Sequence, residues 1–377
     1  MKIFLVCNSL GGGGAERVGV NLANGFADAG HTVFMLTDLL QKATYPIDER
    51  VKLIAFCEKK VGKLKKWSSA VRCIRRQAKE QRPDAIIGIM HLCSFAAKVA
   101  VTGLGIPVVL TIHHALERID SLPTSRLDTF CDRQLSRIYD RVTVLTEADA
   151  MALGKRRKVS VMPNPSTFSS CEEFLKKENI ILSAGRLDDW KFKGFDLLIE
   201  AWGRIAANFP SWSLQIAGAG NNDTIRFFEK LAKDNNVFDR VVFLGYRTDM
   251  ESLYQRSAIY CLSSRSEGLP MVLIEAMSQG CAPVACENLG RTKEIITNES
   301  EGLLFQTADA EDLADKLSRM IVDNDYRQSV QRNAVERSKY YSLDHIIGMW
   351  EEMLENIKKR KNESKNKKSI ARPILCL

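Results

Sequence analysis

Short apolar runs alternate along the whole chain with longer stretches whose apolar positions recur at three- and four-residue spacing. The short runs read as strands and the longer stretches as helices. Their regular alternation predicts an α/β fold with parallel layers. Residues 2–7 predict the first strand. Residues 15–30 predict a helix closed by Gly30 as its C-cap. His31–Thr37 is a second strand, and residues 67–79 show helical spacing. Ala85–Ile89 and Val108–Thr111, which follow Pro83 and Pro107, continue the strand series with Arg141–Leu145 and Val159–Met162.

Pro163-Asn164-Pro165 then breaks the series, and an inter-domain linker is expected over 163–177. The pattern restarts beyond it. Asn179–Ala184, Ser213–Ala217, Val241–Leu244, Ile259–Leu262, Ala282–Ala285 and Leu303–Phe305 predict strands. Phe195–Asn208, Phe227–Asn235, Met250–Arg256, 309–322 and 324–339 predict helices. A last helical pattern spans 342–358, with Ile346, Ile347, Trp350, Met353, Leu354 and Ile357 in register. Residues 359–370 are polar and charged, which predicts disorder. The expected organisation is a domain over 1–164, a second over 178–340, a terminal helix over 341–358 and a disordered basic tail over 359–377. The end, Ile374-Leu375-Cys376-Leu377, is not a prenylation box, because its Cys is second from last.

A chain of 377 residues, 45% of them hydrophobic, suffices for two domains with their own cores. No apolar run approaches the ~18–20 residues that span a bilayer, and Met1–Val6 is too short for a signal peptide. The ten cysteines form no C-x-x-C pair, and Cys7, Cys93 and Cys261 lie in apolar runs. A reducing cytoplasm without disulfides or structural zinc is expected. The five histidines show no metal-ligand spacing. The net charge of +8 is uneven: residues 59–82 carry ten Lys or Arg against the single acid Glu80, and 358–368 is a second basic run. Neither is interleaved with the aromatics of a nucleic-acid platform. Basic surfaces also hold proteins at anionic membranes.

Candidate chemistry concentrates in Glu267-Gly268-Leu269-Pro270-Met271-Val272-Leu273-Ile274-Glu275. One carboxylate stands in a Gly/Pro turn and another in the apolar helix that follows. A helix start suits a phosphate, and a carboxylate on its first turns suits ribose hydroxyls. A second feature is Gly11-Gly12-Gly13-Gly14-Ala15-Glu16-Arg17, between the first strand and its helix. Glycines there let backbone approach an anion closely, although a plain tight turn accounts for the loop equally. Neither register of it fits G-x-G-x-x-G, whose last position would be Glu16 or Arg17. Asp38 does end the second strand, as a ribose-binding acid would. Gly185 and Arg186, with Lys191 or Lys193 on the same loop, offer cations for a diphosphate. Phe243-Leu244-Gly245-Tyr246-Arg247 suits backbone contacts to a nucleobase, or is a simple turn. His113 and His114 follow an apolar strand, where only one of two neighbours is expected to reach a cleft.

Glu-x7-Glu together with Gly-Gly-Ala-Glu-Arg resembles the retaining glycosyltransferases of family 4, of the polysaccharide-assembly type, over nearly the whole chain. The resemblance implies the GT-B architecture of two facing Rossmann-like domains with a cleft between them. It implies that the terminal helix crosses back to the first domain. It implies that Gly13, Gly14, Gly185, Arg186, Lys193, Arg247, Glu267, Gly268, Leu269, Pro270 and Glu275 bind the donor, and that Glu267, His113, Arg186 and Lys193 serve the chemistry. The Lys-Gly pair selects Lys193, whereas the commonest family spacing would select Lys191. The implied donor is a UDP-hexose and the acceptor a glycan, lipid-linked at the inner membrane face, with no cofactor and no nucleic acid. No D-x-D motif stands at a strand end, so metal-independent transfer is expected. Trp67, Val71, Ile74 and Ala78, near Arg72, Arg75 and Arg76, form a basic amphipathic stretch that lies on a membrane or faces a core. The competing readings are a UDP-N-acetylglucosamine 2-epimerase of the same architecture and a non-catalytic membrane or nucleic-acid binding module.

Overall fold

The computed structural model describes residues 1–11, 13–40, 42–57, 59–116, 126–154, 158–172 and 176–370. Its strands form two parallel sheets. The first holds β1 (Lys2–Val6), β2 (Thr32–Asp38), β3 (Lys52–Cys57), β4 (Ala85–Ile89), β5 (Val108–Thr111), β6 (Arg141–Val144) and β7 (Val159–Val161) in the order β3-β2-β1-β4-β5-β6-β7. The second holds β8 (Glu178–Ala184), β9 (Ser213–Ala217), β10 (Val241–Gly245), β11 (Ser257–Leu262), β12 (Ala282–Cys286) and β13 (Leu303–Phe305) in the order β10-β9-β8-β11-β12-β13. β4 and β11 are buried along their full length, as strands covered by helices on both faces must be. In each sheet the chain builds outward on one side, returns to the middle and builds outward on the other. The reversals fall between β1 and β4 and between β8 and β11. Loops leaving such strands part in opposite directions, and the crevice at their C-terminal ends is where ligands bind in open α/β sheets.

The local reading differs from the structure in several places, and the helices Arg126–Arg133 and Glu147–Ala152 are not in it. The terminal helix runs Leu343–Ile370, beyond the expected end at 358 and through the stretch predicted to be disordered. The added segment is rich in Lys, lacks Gly and Pro, and falls at the end of the helix where the dipole favours cations. Residues 371–377, and with them the C-terminal Cys376, lie outside the described residues. The helix expected at Phe227–Asn235 begins earlier, at Asn222, because the Asn221 side chain accepts from the Asp223 and Thr224 amides as its cap. β3 is an edge strand, half exposed at its start, whose apolar run Leu53–Cys57 lies outside the predicted strand series. The helix Met90–Ala100 follows β4 without a Gly or Pro to mark the change. The chain turns there at Met90, which takes a left-handed φ of 69°.

The terminal helix packs Ile346, Ile347, Trp350, Met353, Leu354 and Ile357 into the core of the first domain. There Gly25 leaves room that any side chain would fill, since a Cβ on it would lie 2.7 Å from Ile347. The basic helix spans Lys63–Gln81, with Ile74 and Ala78 buried and Trp67 stacked on Phe95. Its apolar line therefore faces the core, while Leu64 and Leu92 stand exposed beside Lys63 and Lys65.

Candidate active site between the two sheets

The loop after β8 and the loop after β11 meet at the reversal of the second sheet. Gly194, at φ 66°, lies so close to Ser263 that an added Cβ would sit 2.1 Å from the Ser263 carbonyl oxygen. Ser263 Oγ donates to the Lys193 carbonyl at 2.9 Å, and the Arg265 amide donates to the Phe192 carbonyl at 2.7 Å. Arg265 also grips Asp196 with two parallel hydrogen bonds of 2.8 Å. The clamp aims Lys193 across the crevice, where Nζ donates to Glu267 Oε1 at 2.8 Å. The Lys193 stem lies over Gly185, whose Cβ would come within 3.3 Å of it. Lys191 turns away, its ammonium 5.7 Å from the centre of the Trp190 ring. Gly218 packs under the same loop, where a Cβ would meet the Gly185 carbonyl at 1.8 Å.

The first domain meets this edge at two points. Gly268 approaches the backbone of His113–Ala115, with a would-be Cβ 3.2 Å from the His113 carbonyl. Arg17, on the helix Gly14–Asp28 that Gly13 caps, places Nη1 3.2 Å from Glu275 Oε1. Its guanidinium also lies over the rings of Tyr45 and Phe168. Glu275 sits on the helix Met271–Ser278, which starts after Pro270, and is 3% exposed. Burial pushes its carboxyl up, against the opposing pull of Arg17. His113 is held by Asn164 Oδ1 at 3.0 Å and Thr111 Oγ1 at 2.8 Å. Burial drops its imidazole to about 4, so it is neutral near pH 7.

The residues singled out in the sequence are thus partly gathered. Lys193 meets Glu267, Gly268 meets the His113 loop, and Glu275, on the helix that follows Pro270, meets Arg17. Arg186 stands at its rim, 82% exposed and paired with Asp189 at 2.8 Å, and Arg247 pairs with Asp249 in solvent. Gly14 has open space around it, and Gly12 lies outside the described residues.

Sequence reasoning missed the groups that join the domains. Asp149 is buried and accepts from Arg291 Nη2 at 2.6 Å, from the Leu116 amide at 3.0 Å and from Thr146 Oγ1 at 2.7 Å. The Glu294 carboxylate of the second domain accepts from the amides of Glu147 and Ala148 in the first, at 2.8 and 2.9 Å. Thr146-Glu147-Ala148-Asp149 is a legible cap signature, but its partners lie more than a hundred residues away. Histidines also converge that sequence spacing kept apart: His91 and His114 both donate to Asp132.

Residues 12–165 match the family model of Glycosyltransferase Family 4, and residues 168–337 that of Glycosyl transferases group 1. The chain is 28% identical over 356 residues to an uncharacterized glycosyltransferase of Haemophilus influenzae, covering 93% of this chain and 99% of that one. It is 26% identical over 370 residues to the GalNAc-alpha-(1->4)-GalNAc-alpha-(1->3)-diNAcBac-PP-undecaprenol alpha-1,4-N-acetyl-D-galactosaminyltransferase of Campylobacter jejuni, covering 95% and 99%. Among solved structures, Anabaena HepE in complex with UDP and glucose is similar with a TM-score of 0.75 and 19% identity, over 94% of this chain and all of that one (100%).

Proposed function

Since this chain belongs to the glycosyltransferases, carrying a Family 4 region ahead of a group 1 region in the GT-B architecture, we propose that it transfers a hexose with retention from UDP-hexose to a lipid-linked glycan. The product belongs to capsule, exopolysaccharide or lipopolysaccharide assembly. The observation that carries this reading is the Lys193–Glu267 pair, set at a sheet reversal and faced by a loop of the other domain. A departing diphosphate gains charge as the glycosidic bond breaks. Lys193, and Arg186 from the rim, are the cations suited to it, with the loop amides at Gly13-Gly14 and Gly268-Leu269 adding donors. Glu267 lies where donor-sugar hydroxyls would pass, and Glu275 is the carboxylate for the ribose. A front-face displacement fits this set, the leaving phosphate taking the acceptor proton. Side-chain cations at the diphosphate make magnesium dispensable.

The lipid-linked acceptor is supported by a groove of about 610 Å³ in the first domain, lined by Phe56, Leu64, Trp67, Leu92 and Phe95 with Lys63 and Lys66 at its edge. Apolar walls beside cations suit an amphiphile with an anionic head. The relative from Campylobacter jejuni is named for such an undecaprenol-diphosphate acceptor. No helix of the described residues is long and apolar enough to cross a membrane.

The test is a panel of sugar nucleotides with synthetic lipid-linked acceptors, read by mass spectrometry and by NMR of the new anomeric centre. A retained linkage formed without magnesium is expected. Release of free sugar from UDP-N-acetylglucosamine without acceptor would identify an epimerase instead, and an inverted product or full magnesium dependence would remove those parts of the reading. Flotation with anionic vesicles, weakened by Leu64→Glu, tests the membrane-facing groove.

A further inference from the structure

His91, His114 and Asp132 come from three separate segments and deliver their ligand atoms to one place. His91 Nε2 donates to Asp132 Oδ1 at 2.6 Å and His114 Nε2 donates to Asp132 Oδ2 at 3.0 Å. All three ligand atoms lie within 4.8 Å of one another. The imidazoles face each other at 6.1 Å between centres, and the shared carboxylate is 5% exposed.

The surrounding backbone is built to hold this arrangement. His91 follows Met90, whose φ of 69° is a strained conformation for a side-chain-bearing residue. The turn is locked from both sides. Ser94 Oγ donates to the Gly88 and Met90 carbonyls at 2.8 Å each. A Cβ on Gly88 would meet Ser94 at 2.4 Å. Thr111 Oγ1 accepts from the Met90 amide at 3.4 Å. His91 Nδ1 is buried without a partner among the described residues, so Nε2 alone ties this ring. Strain and a buried unpaired nitrogen both cost stability. Neither is needed for the donor crevice, where Lys193 and Glu267 stand.

We propose that His91 Nε2, His114 Nε2 and one Asp132 oxygen form a binding site for a divalent transition cation of the zinc type, distinct from the Lys193–Glu267 pair. Two imidazoles and a carboxylate are the ligand set of three-residue sites that leave a further position open. Zinc–nitrogen and zinc–oxygen bonds of about 2.0–2.2 Å place neighbouring ligand atoms roughly 3.3 Å apart around a tetrahedral ion. The present separations are 2.6 Å to Asp132 Oδ1 and 3.0 Å to Asp132 Oδ2, so a cation draws both imidazoles onto one carboxylate oxygen. On binding, each neutral imidazole gives the Nε2 lone pair to the cation and carries its single proton on Nδ1, and Asp132 keeps its negative charge.

The test uses the full chain, made metal-free, with neither donor nor acceptor, so its failure stands apart from any failure of the transferase reading. Equilibrium dialysis against zinc should give one ion per chain. Cobalt should give the visible absorption of a four-coordinate site. His91→Ala and His114→Ala should each weaken binding about 100-fold, with circular dichroism unchanged. Should either variant fail to fold, nitrogen NMR of the wild type still decides, because zinc must move the Nε2 resonances of two histidines. No stoichiometric binding, binding of equal strength in the variants, or unmoved imidazole resonances would overturn the proposal and leave the three residues as a hydrogen-bonded cluster.

Discussion

Lys193 and Lys191 are two positions apart, and spacing in the chain left open which of them faces a ligand. The fold separates them: Gly194 bends the loop onto Ser263, so that Lys193 meets Glu267 while Lys191 lies on Trp190. Lys193→Ala should lower kcat by about 10²–10³, the usual loss for one charge-stabilising contact, whereas Lys191→Ala should leave turnover near wild type. Steady-state kinetics with UDP-hexose distinguishes them. Gly194→Ala should cost about 1–3 kcal/mol in urea denaturation, since its methyl group would meet the Ser263 carbonyl at 2.1 Å in a left-handed backbone. A variant as stable as the parent would contradict the close approach. Residues whose role depends on one loop were legible in this way. Asp132, His91 and His114 were not, because only the folded chain brings the three segments together.

Elements that are buried over their whole length were the readable ones. β4 and β5 fall where apolar runs placed them, because a strand covered on both faces has few polar positions to blur it. β3, a half-exposed edge strand with a run at Leu53–Cys57, and the helix Met90–Ala100, which starts without a breaker, stand outside that series. The terminal helix was read from its apolar register but ended too soon, because polarity was taken for disorder. Its stabilising part is the register. Trp350→Ala should cost about 3–5 kcal/mol, as large-to-small changes in a core do, seen as a lower thermal midpoint. Removing residues 363–377 should leave that midpoint almost unmoved, since Ile357 is the last residue of the helix in the first domain's core.

At the scale of the molecule, two domains are held together by charge as well as by chain. Arg291 and Asp149 are 2% and 1% exposed, and Arg17 reaches Glu275. Removing one member of a buried pair strands the other. Arg291→Ala should therefore destabilise by about 3–5 kcal/mol. The joint replacement Arg291→Met with Asp149→Leu should recover part of that in denaturation while leaving the domains freer to part, because the Arg291–Asp149 hydrogen bonds that tie them would be gone. Small-angle scattering with and without UDP measures the second effect. An unchanged radius of gyration in both states would show that the pair does not govern closure. None of these partners was legible, since ion pairing between distant segments leaves no periodicity to read.

The return of the last helix to the first domain sets an order of events during synthesis. The segment that finishes the amino-terminal core leaves the ribosome only after the whole second domain. Until it emerges, the surface around Phe26 and Gly25 stays uncovered, open to chaperones and proteases. A prematurely stopped message would thus yield a protein whose early-made part is as incomplete as its missing end.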